Sequence, residues 1–484
     1  MSRSAIIGGN GMNGKIDTKV NSKAIMMTFM VGAFFAILNE TSMNIALTKL
    51  MDVFHVDAST VQWLATSFLL VMGILMPVSA LLIQWFTTRQ LYIGIMTIFL
   101  IGTVVAACAV NFQMLLVGRM LQAVGTAVSI PLTMNAVLLM YPPDRRGRIM
   151  GIFGIVIMFA PAAGTTLSGI VVDTLGWRWL FIIIIPFAIF IVLFAWKLLQ
   201  NVGEVTRPRV DILSILLSTI GIGGTIYGFS SIGEGSGTGS SSTIWIIIVI
   251  SSMSLVAFVR RQLKLEQPLL DVRVFAYKEF SKGMVLFVMI SIIMFSSQVL
   301  LPMFGQGPLG YEAKTVGLLL LPGALLNGAL SPKIGILFDK YGSRKLIIPG
   351  TFLLMVTIII YSTMSSSIPA WAFILVYMAL MLSIASIMMP SQTGALNQLP
   401  PHLFPHGTAM SNTLQPMAGA LGVSTLVSIM THGRTSFLEQ AGVTPTKGLL
   451  NEAMTYGFHH AYWFALVLCC IGFMTALFLK KKTA

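Results

Sequence analysis

Apolar runs of about 20 residues or more recur from end to end of this 484-residue chain. Each is long enough, at roughly 1.5 Å per residue, to cross about 30 Å of hydrocarbon. In that solvent every backbone N–H and C=O must be paired within the protein, so each run reads as a helix. Fourteen spans are predicted, at about 24–47, 61–83, 91–110, 113–140, 149–171, 179–199, 212–230, 243–262, 281–303, 315–338, 346–364, 370–396, 408–430 and 459–479. With 56% hydrophobic residues and a mean hydropathy of +0.87, the chain is too apolar for a soluble multidomain protein. The expected fold class is an all-α polytopic membrane protein.

A net charge of +14 could suggest a nucleic-acid partner, but the basic residues form no continuous platform. They collect in tails and short connections instead. With fourteen spans, both tails and the connections after even-numbered spans hold 24 of the 30 Lys and Arg residues, against five on the opposite side and Arg119 within a span. The positive-inside rule then puts both termini in the cytoplasm. Cys108, Cys469 and Cys470 all fall in spans, where they read as small buried side chains rather than a disulfide framework or metal cluster. The basic N-terminal tail precedes a long first span without a cleavage pattern, so that span is read as retained.

An offset of 255 residues superposes Gly73 on Gly328, Pro77 on Pro332, Arg89 on Arg344, Pro161 on Pro416 and Gly164 on Gly419. The constant spacing indicates duplicated six-helix bundles at 24–200 and 281–479, with two inserted helices and their connections at 201–280 and cytoplasmic tails at 1–23 and 480–484. Two similar halves rocking about a central site are a physical basis for alternating access. Gly233–Thr243 reads as a flexible connection. Leu265–Phe280 is expected to be partly an interfacial amphipathic helix, with Leu269, Leu270, Val272, Val274 and Phe275 toward lipid. His432–His460 is long enough for a short surface helix or lid.

The first span carries Glu40, and a buried carboxylate is costly unless neutral, paired or hydrated. Asn39 and Thr41 flank it, and Asn44 lies one turn further on the same face. Arg119 is the one arginine well inside a span, followed by Gln122 and Gly125. From the expected boundaries both charges lie roughly 9–11 Å from the external ends of their helices, a matched depth that permits direct pairing or a water bridge. A nearby arginine favours the carboxylate while burial favours the neutral acid, so admitting water from one side and then the other would move a proton. A static salt bridge is the alternative. The repeat favours coupling, because uncharged Phe295 stands at the position equivalent to Glu40.

Asp211, close to a span boundary, is a poor second carrier, so limited proton stoichiometry and weak coupling to divalent cationic drugs are expected. Pro161 and Gly164 suit a bent helix that packs closely and slides, though an ordinary kinked packing helix would carry them too. Asn39, Thr41, Asn44, Trp63, Phe68, Gln122, Gln298, Asn327, Tyr377 and Gln415 are candidate substrate contacts. Apolar walls, aromatic faces and limited hydrogen bonding suit chemically varied ligands.

Together these segments resemble the major facilitator superfamily, especially its fourteen-span drug:proton antiporter branch. The first-helix pattern L-D-x-T-x-x-N-x-A-L-P appears as Leu38, Asn39, Glu40, Thr41, Ser42, Met43, Asn44, Ile45, Ala46, Leu47, Thr48, with the acid moved from the expected position at Asn39 to Glu40. R-x-x-Q-G-x-G-A is carried by Arg119, Gln122, Gly125 and Ala127, and the resemblance implies a role for Arg119 in proton transfer. G-P-x-x-G-G survives as Pro161 and Gly164. Gly335, Leu337, Asp339, Gly342, Arg344 and Lys345 reproduce the cytoplasmic G-x-L-x-D-x-x-G-x-R-K pattern, which implies a conformational latch built on Asp339, Gly342 and Arg344. Asp339 is expected to be the main gate residue, with a simple solvated charge cluster there as the alternative, and Asp144 and Arg148 of the DRRGR connection would engage the same latch. Trp177, Arg178, Trp179, Phe181 and Pro186 resemble W-R-W-x-F-x-x-N-x-P and are expected to anchor an external interface.

The expected function is efflux of small amphipathic or weakly polar compounds from a bacterial type of plasma membrane, driven by the proton gradient, with protons and membrane lipids as the other partners. No cofactor, metal or nucleic acid enters this reading, and a monomer suffices. A lipid, fatty-acid or metabolite exporter of the same fold is a second reading, and a non-transport membrane sensor or structural protein a third. No Walker pattern argues for a fused ATPase, and no extramembrane stretch could house an ordinary enzyme core.

Overall fold

The computed structural model describes residues 22–141, 143–201, 205, 211–232, 241–265, 268–400, 403–441 and 446–479. The first 21 residues, most of the Gly233–Thr243 connection and Lys480–Lys482 lie outside the described residues, as do the side chains of Asp144, Arg148 and Asp339.

Fourteen long helices account for nearly all of it. The first six are α1 (Ser22–Phe54), α2 (Trp63–Trp85), α3 (Thr88–Ala107), α4 (Phe112–Met140), α5 (Pro143–Thr174) and α6 (Ile184–Leu198). The inserted pair is α7 (Ile212–Ile232) and α8 (Ser241–Lys264). The last six are α9 (Lys278–Gln306), α10 (Ala313–Tyr341), α11 (Ser343–Ser362), α12 (Ala370–Leu396), α13 (Phe404–Ala441) and α14 (Lys447–Leu477). Among the described residues, 13 helices are long and apolar enough to cross a membrane, α6 together with the short turn before it. The remaining helix, α5, is 32 residues long and packs among them against α1 and α10.

Polar residues set the helix starts. Thr87 and Gln90 form a reciprocal capping box at α3, and Asn111 Oδ1 accepts from the Met114 N–H at 2.8 Å to open α4. Between α10 and α11 the chain turns at Gly342, whose φ of +80° is the left-handed region where a side chain is penalised.

The helix contacts repeat as the sequence does. In the first half α1 packs on α4, α5 and α6, α2 on α4, and α3 on α4 and α6. In the second half α9 packs on α12, α13 and α14, α10 on α12, and α11 on α12 and α14. Adding 255 residues carries α1 to α5 onto α9 to α13, and α6 corresponds to α14 by its contacts; the two inter-half pairs, α5 with α10 and α2 with α13, exchange under the same operation. The architecture is therefore two equivalent six-helix bundles facing each other, with α7 inserted against α2 and α13.

Ser22 and Leu477 end on one face, here the terminal face. The halves are joined toward the opposite, distal face. There Gln306 Nε2 donates to the Ile45 carbonyl at 3.0 Å, and the Lys314 N–H donates to Asp173 Oδ2. A Cβ on Gly169 would stand 2.5 Å from the Ala313 carbonyl oxygen, so α5 and α10 touch backbone to backbone.

Three local expectations are corrected. Residues 272–276 form a 3₁₀ turn capped by Asp271, and Leu270 and Val274 are buried against the protein rather than lipid-facing. α13 runs unbroken to Ala441 and α14 begins at Lys447, so no separate surface helix or lid interrupts His432–His460 among the described residues. Trp177 is buried, its ring against Phe54 and Phe181 and under the Arg178 guanidinium at 4.4 Å, so it fills a core position instead of an interface.

Candidate functional site

Arg119 is held by the tight crossing of α3 and α4. A Cβ on Gly118 would lie 2.8 Å from the Ala106 nitrogen, and this absence of bulk seats the next residue at the interface. There Gln122 Oε1 accepts from Arg119 Nη1 at 3.0 Å, while Gln122 Nε2 donates to Thr103 Oγ1 at 3.0 Å. Arg119 Nη1 also donates to Asn39 Oδ1 at 2.6 Å and to the Asn39 carbonyl at 3.3 Å, and Nε donates to the Leu64 carbonyl at 3.4 Å. The guanidinium lies 4.4 Å from the centre of the Phe68 ring. A buried cation is tolerable only with such a set of acceptors and an aromatic face.

Asn39 therefore occupies the acceptor position that an aspartate would fill. One residue on, about 100° around the helix, Glu40 turns away from α4 toward the gap between the halves. It makes no hydrogen bond or ion pair among the described residues, so the direct pairing entertained from depth alone is absent. It does feel the charge of Arg119, and the two line one cavity with Asn44, Phe68, Phe295 and Gln298. The cavity holds about 20 Å³, room for one water-sized sphere and none for a drug. Asn44 Nδ2 donates to Gln298 Oε1 across the halves at 3.4 Å.

The structure thus gathers Glu40, Asn44, Phe68, Arg119 and Gln298 at one point, with Asn39 and Gln122 immediately behind them. Other candidates lie elsewhere. Thr41 is buried and donates to the Ile37 and Leu38 carbonyls. Trp63 packs at a tilt against Tyr227 of α7, ring centres 5.7 Å apart. Asn327 points at the Met381 sulfur, Tyr377 covers Gly323, and Gln415 is half-buried on α13 outside this cavity. Pro161 lies inside α5, and Gly164 one turn later meets α1 so closely that a Cβ would stand 2.3 Å from Thr41 Oγ1 and 2.8 Å from the Leu38 carbonyl oxygen. Arg344 sits in the first turn of α11, half-buried.

Sequence reasoning missed Thr103, Asp173 and Gln306. Thr103 was legible as a hydroxyl in an apolar span three positions from Leu100. The other two owe their roles to contacts between halves, which no local pattern announces.

The sequence profile of the Major Facilitator Superfamily matches residues 29–423. The chain belongs to the major facilitator superfamily. Among this superfamily's characterised members it is 44% identical to the lincomycin resistance protein LmrB of Listeria monocytogenes, over 96% of this chain and 98% of that one. It is also 44% identical to LmrB of Bacillus subtilis, over 94% and 95%, and 26% identical to the multidrug export protein EmrB of Haemophilus influenzae, over 85% and 80%. The fold matches a D-xylose–proton symporter with a TM-score of 0.66 at 15% identity, covering 96% of this chain and 98% of that one. Membership makes this major facilitator chain an integral membrane transporter rather than an enzyme.

Proposed function

We propose that this protein exports small amphipathic drug-like compounds in exchange for protons, with Glu40 as the proton carrier and Arg119 as its charge partner. One observation carries the reading: Glu40, with no hydrogen bond or ion pair among the described residues, lines the cavity between the halves, while Arg119 beside it donates its hydrogen bonds to Asn39, Gln122 and the Leu64 carbonyl. A carboxylate free of fixed partners can exchange its proton with water or with a cationic substrate when the cavity opens. The names of the lincomycin-resistance and multidrug-export relatives support a drug-sized organic substrate.

The charge distribution, 24 of 30 Lys and Arg residues on the side of the termini, supports a cytoplasmic terminal face. In that orientation the joined distal ends correspond to a transporter closed to the outside. Export then requires the contacts around Gln306 and Asp173 to part as the terminal face closes. Pro161 and Gly164 shape the α1–α5 contact on which the first half rocks, and Gly342, Arg344 and Asp339, with Asp144 and Arg148, form the latch of the closed terminal face. Asp211 is not a second carrier in this scheme: hydrogen bonds from the Arg261 guanidinium hold its carboxyl down at about 2, so it stays ionised at every working pH.

The test is lincomycin-induced proton flux in proteoliposomes, comparing the unchanged protein with Glu40→Gln. Flux abolished in the variant, with insertion and lincomycin binding intact, supports the carrier role. Equal flux in both overturns it, and binding with no flux in either overturns proton coupling.

A further inference from the structure

We propose that the terminal end of α8 is a binding site for an anionic phospholipid. The inserted helix α8 is the least covered of the 13 apolar spans among the described residues, with only 17% of an 18-residue stretch buried. Its inner face is consumed by α7: a Cβ on Gly221, Gly224 or Gly228 would meet Leu255, Ser251 or Ile248 within 2.7 Å. The outer face is left to the bilayer.

On that outer face runs a surface groove of about 700 Å³ whose floor includes Met253, Val256 and Ala257 and whose terminal end carries Arg260, Arg261 and Lys264. No acidic side chain lines it among the described residues. From Met253 to Lys264 the helix rises about 16 Å, so the apolar floor lies at acyl-chain depth while the cations stand at the headgroup plane.

The three cations are not equivalent. Arg261 is turned inward, where its Nε and Nη2 donate to the two Asp211 oxygens at 2.7 and 2.9 Å. Arg260 and Lys264 are exposed and find no partner among the described residues. Standing four residues apart on one face, they repel each other, and the repulsion is relieved by an anion placed between them. A phosphate diester at the membrane surface meets both requirements, negative charge at the cations and a hydrocarbon tail on Met253 and Val256. A free phosphate would satisfy only the first.

The bound lipid would hold the inserted pair at the interface that α7 shares with α2 and α13, one element from each half. The site stands apart from the Glu40 cavity and does not depend on the substrate.

The test is native mass spectrometry of the full-length protein released from nanodiscs of dioleoylphosphatidylglycerol mixed with dioleoylphosphatidylcholine. The unchanged protein is expected to retain the anionic lipid preferentially. R260Q/K264Q should lower that preference on the order of tenfold, while R260K/K264R and the same-face control K197Q keep it. Full retention by R260Q/K264Q overturns the proposal. So does an equal loss in K197Q, which would mark general surface charge, or displacement of the lipid by inorganic phosphate alone, which would mark a simple anion site. An unchanged thermal unfolding midpoint in each variant separates lost binding from lost fold.

Discussion

Glu40 and Phe295 occupy equivalent places in the two six-helix halves, 255 residues apart, and line the same cavity from opposite sides. The duplicated fold thus brings two symmetry-related positions together and gives a proton-binding group to one and an aromatic wall to the other. Phe295→Ala is expected to preserve proton coupling while shifting the substrate spectrum, at a stability cost of about 2–4 kcal/mol for the lost ring. Measuring proton-to-drug ratios and competition across a ligand set checks this. A lost ratio with an unchanged spectrum would mean that the aromatic side tunes the acid instead.

Asn39 accepts from Arg119 at the position where the first-helix pattern has an aspartate, and Glu40 stands one position around the helix. Restoring the acid with Asn39→Asp in a Glu40→Gln background moves the carboxylate from the cavity onto the guanidinium at about hydrogen-bond distance. The double variant is expected to recover less than about a tenth of the proton-driven drug flux, because an acid paired with Arg119 releases its proton too readily to carry it. Flux near that of the unchanged protein would mean that either position can couple.

Much of this was legible in the residues. Span positions followed from run lengths, and the 255-residue offset anticipated the paired bundles, because backbone satisfaction in lipid leaves helices as the one local solution. Helix ends were less legible. α1 continues to Phe54, α13 extends to Ala441 and α14 begins at Lys447, since hydropathy reports the hydrocarbon crossing and not the turns that project beyond it. Glu40 and Arg119 stood out as charges within apolar spans, but which neighbour receives the guanidinium depends on a rotation of 100° about one helix. Sequence spacing carries that only as a face, not as a partner.

Gly164 places α5 against the Leu38 carbonyl and the Thr41 hydroxyl of α1. Gly164→Ala is expected to cost about 1–3 kcal/mol and to slow transport while the protein still inserts. Adding Thr41→Ala removes the 2.3 Å conflict but leaves the Leu38 carbonyl oxygen at 2.8 Å, so recovery should be partial. Transport rates set beside thermal unfolding midpoints distinguish this from a plain folding defect. Complete rescue would locate the strain in the hydroxyl alone.

Asp211 joins the start of α7 to the end of α8 through Arg261 and also accepts from Ser214 Oγ at 2.5 Å. Its folded-state value, depressed to about 2, lies below the ordinary carboxylate value of about 3.9. The pair's contribution is therefore fully present above about pH 4 and is lost only as the pH falls toward 2. Asp211→Asn is expected to lower the unfolding midpoint by the same few degrees at pH 5 and at pH 8. A deficit that grows between those values would require another titrating partner.

Asp173 supplies from the first half the side-chain cap that α10 lacks in its own sequence, since Glu312 at the N-cap makes no capping bond and the Lys314 N–H turns to Asp173 instead. A helix N-terminus holds a carboxylate through both the N–H and the helix dipole, and capping contacts of this kind are worth about 0.5–2 kcal/mol. Because α5 and α10 belong to opposite halves, that energy stabilises only the arrangement in which the distal ends meet. Asp173→Ala is expected to shift the equilibrium toward distal opening by about fivefold, the equivalent of about 1 kcal/mol. The shift would be read as faster modification of a cysteine placed at Ser168 by a membrane-impermeant thiol reagent, in a background lacking Cys108, Cys469 and Cys470. Asp173→Asn, which retains an oxygen acceptor, should fall between the two. If Ser168→Cys reacts at the same rate in all three, the contact forms without governing closure, and Gln306 with the backbone packing at Gly169 is left as the distal seal.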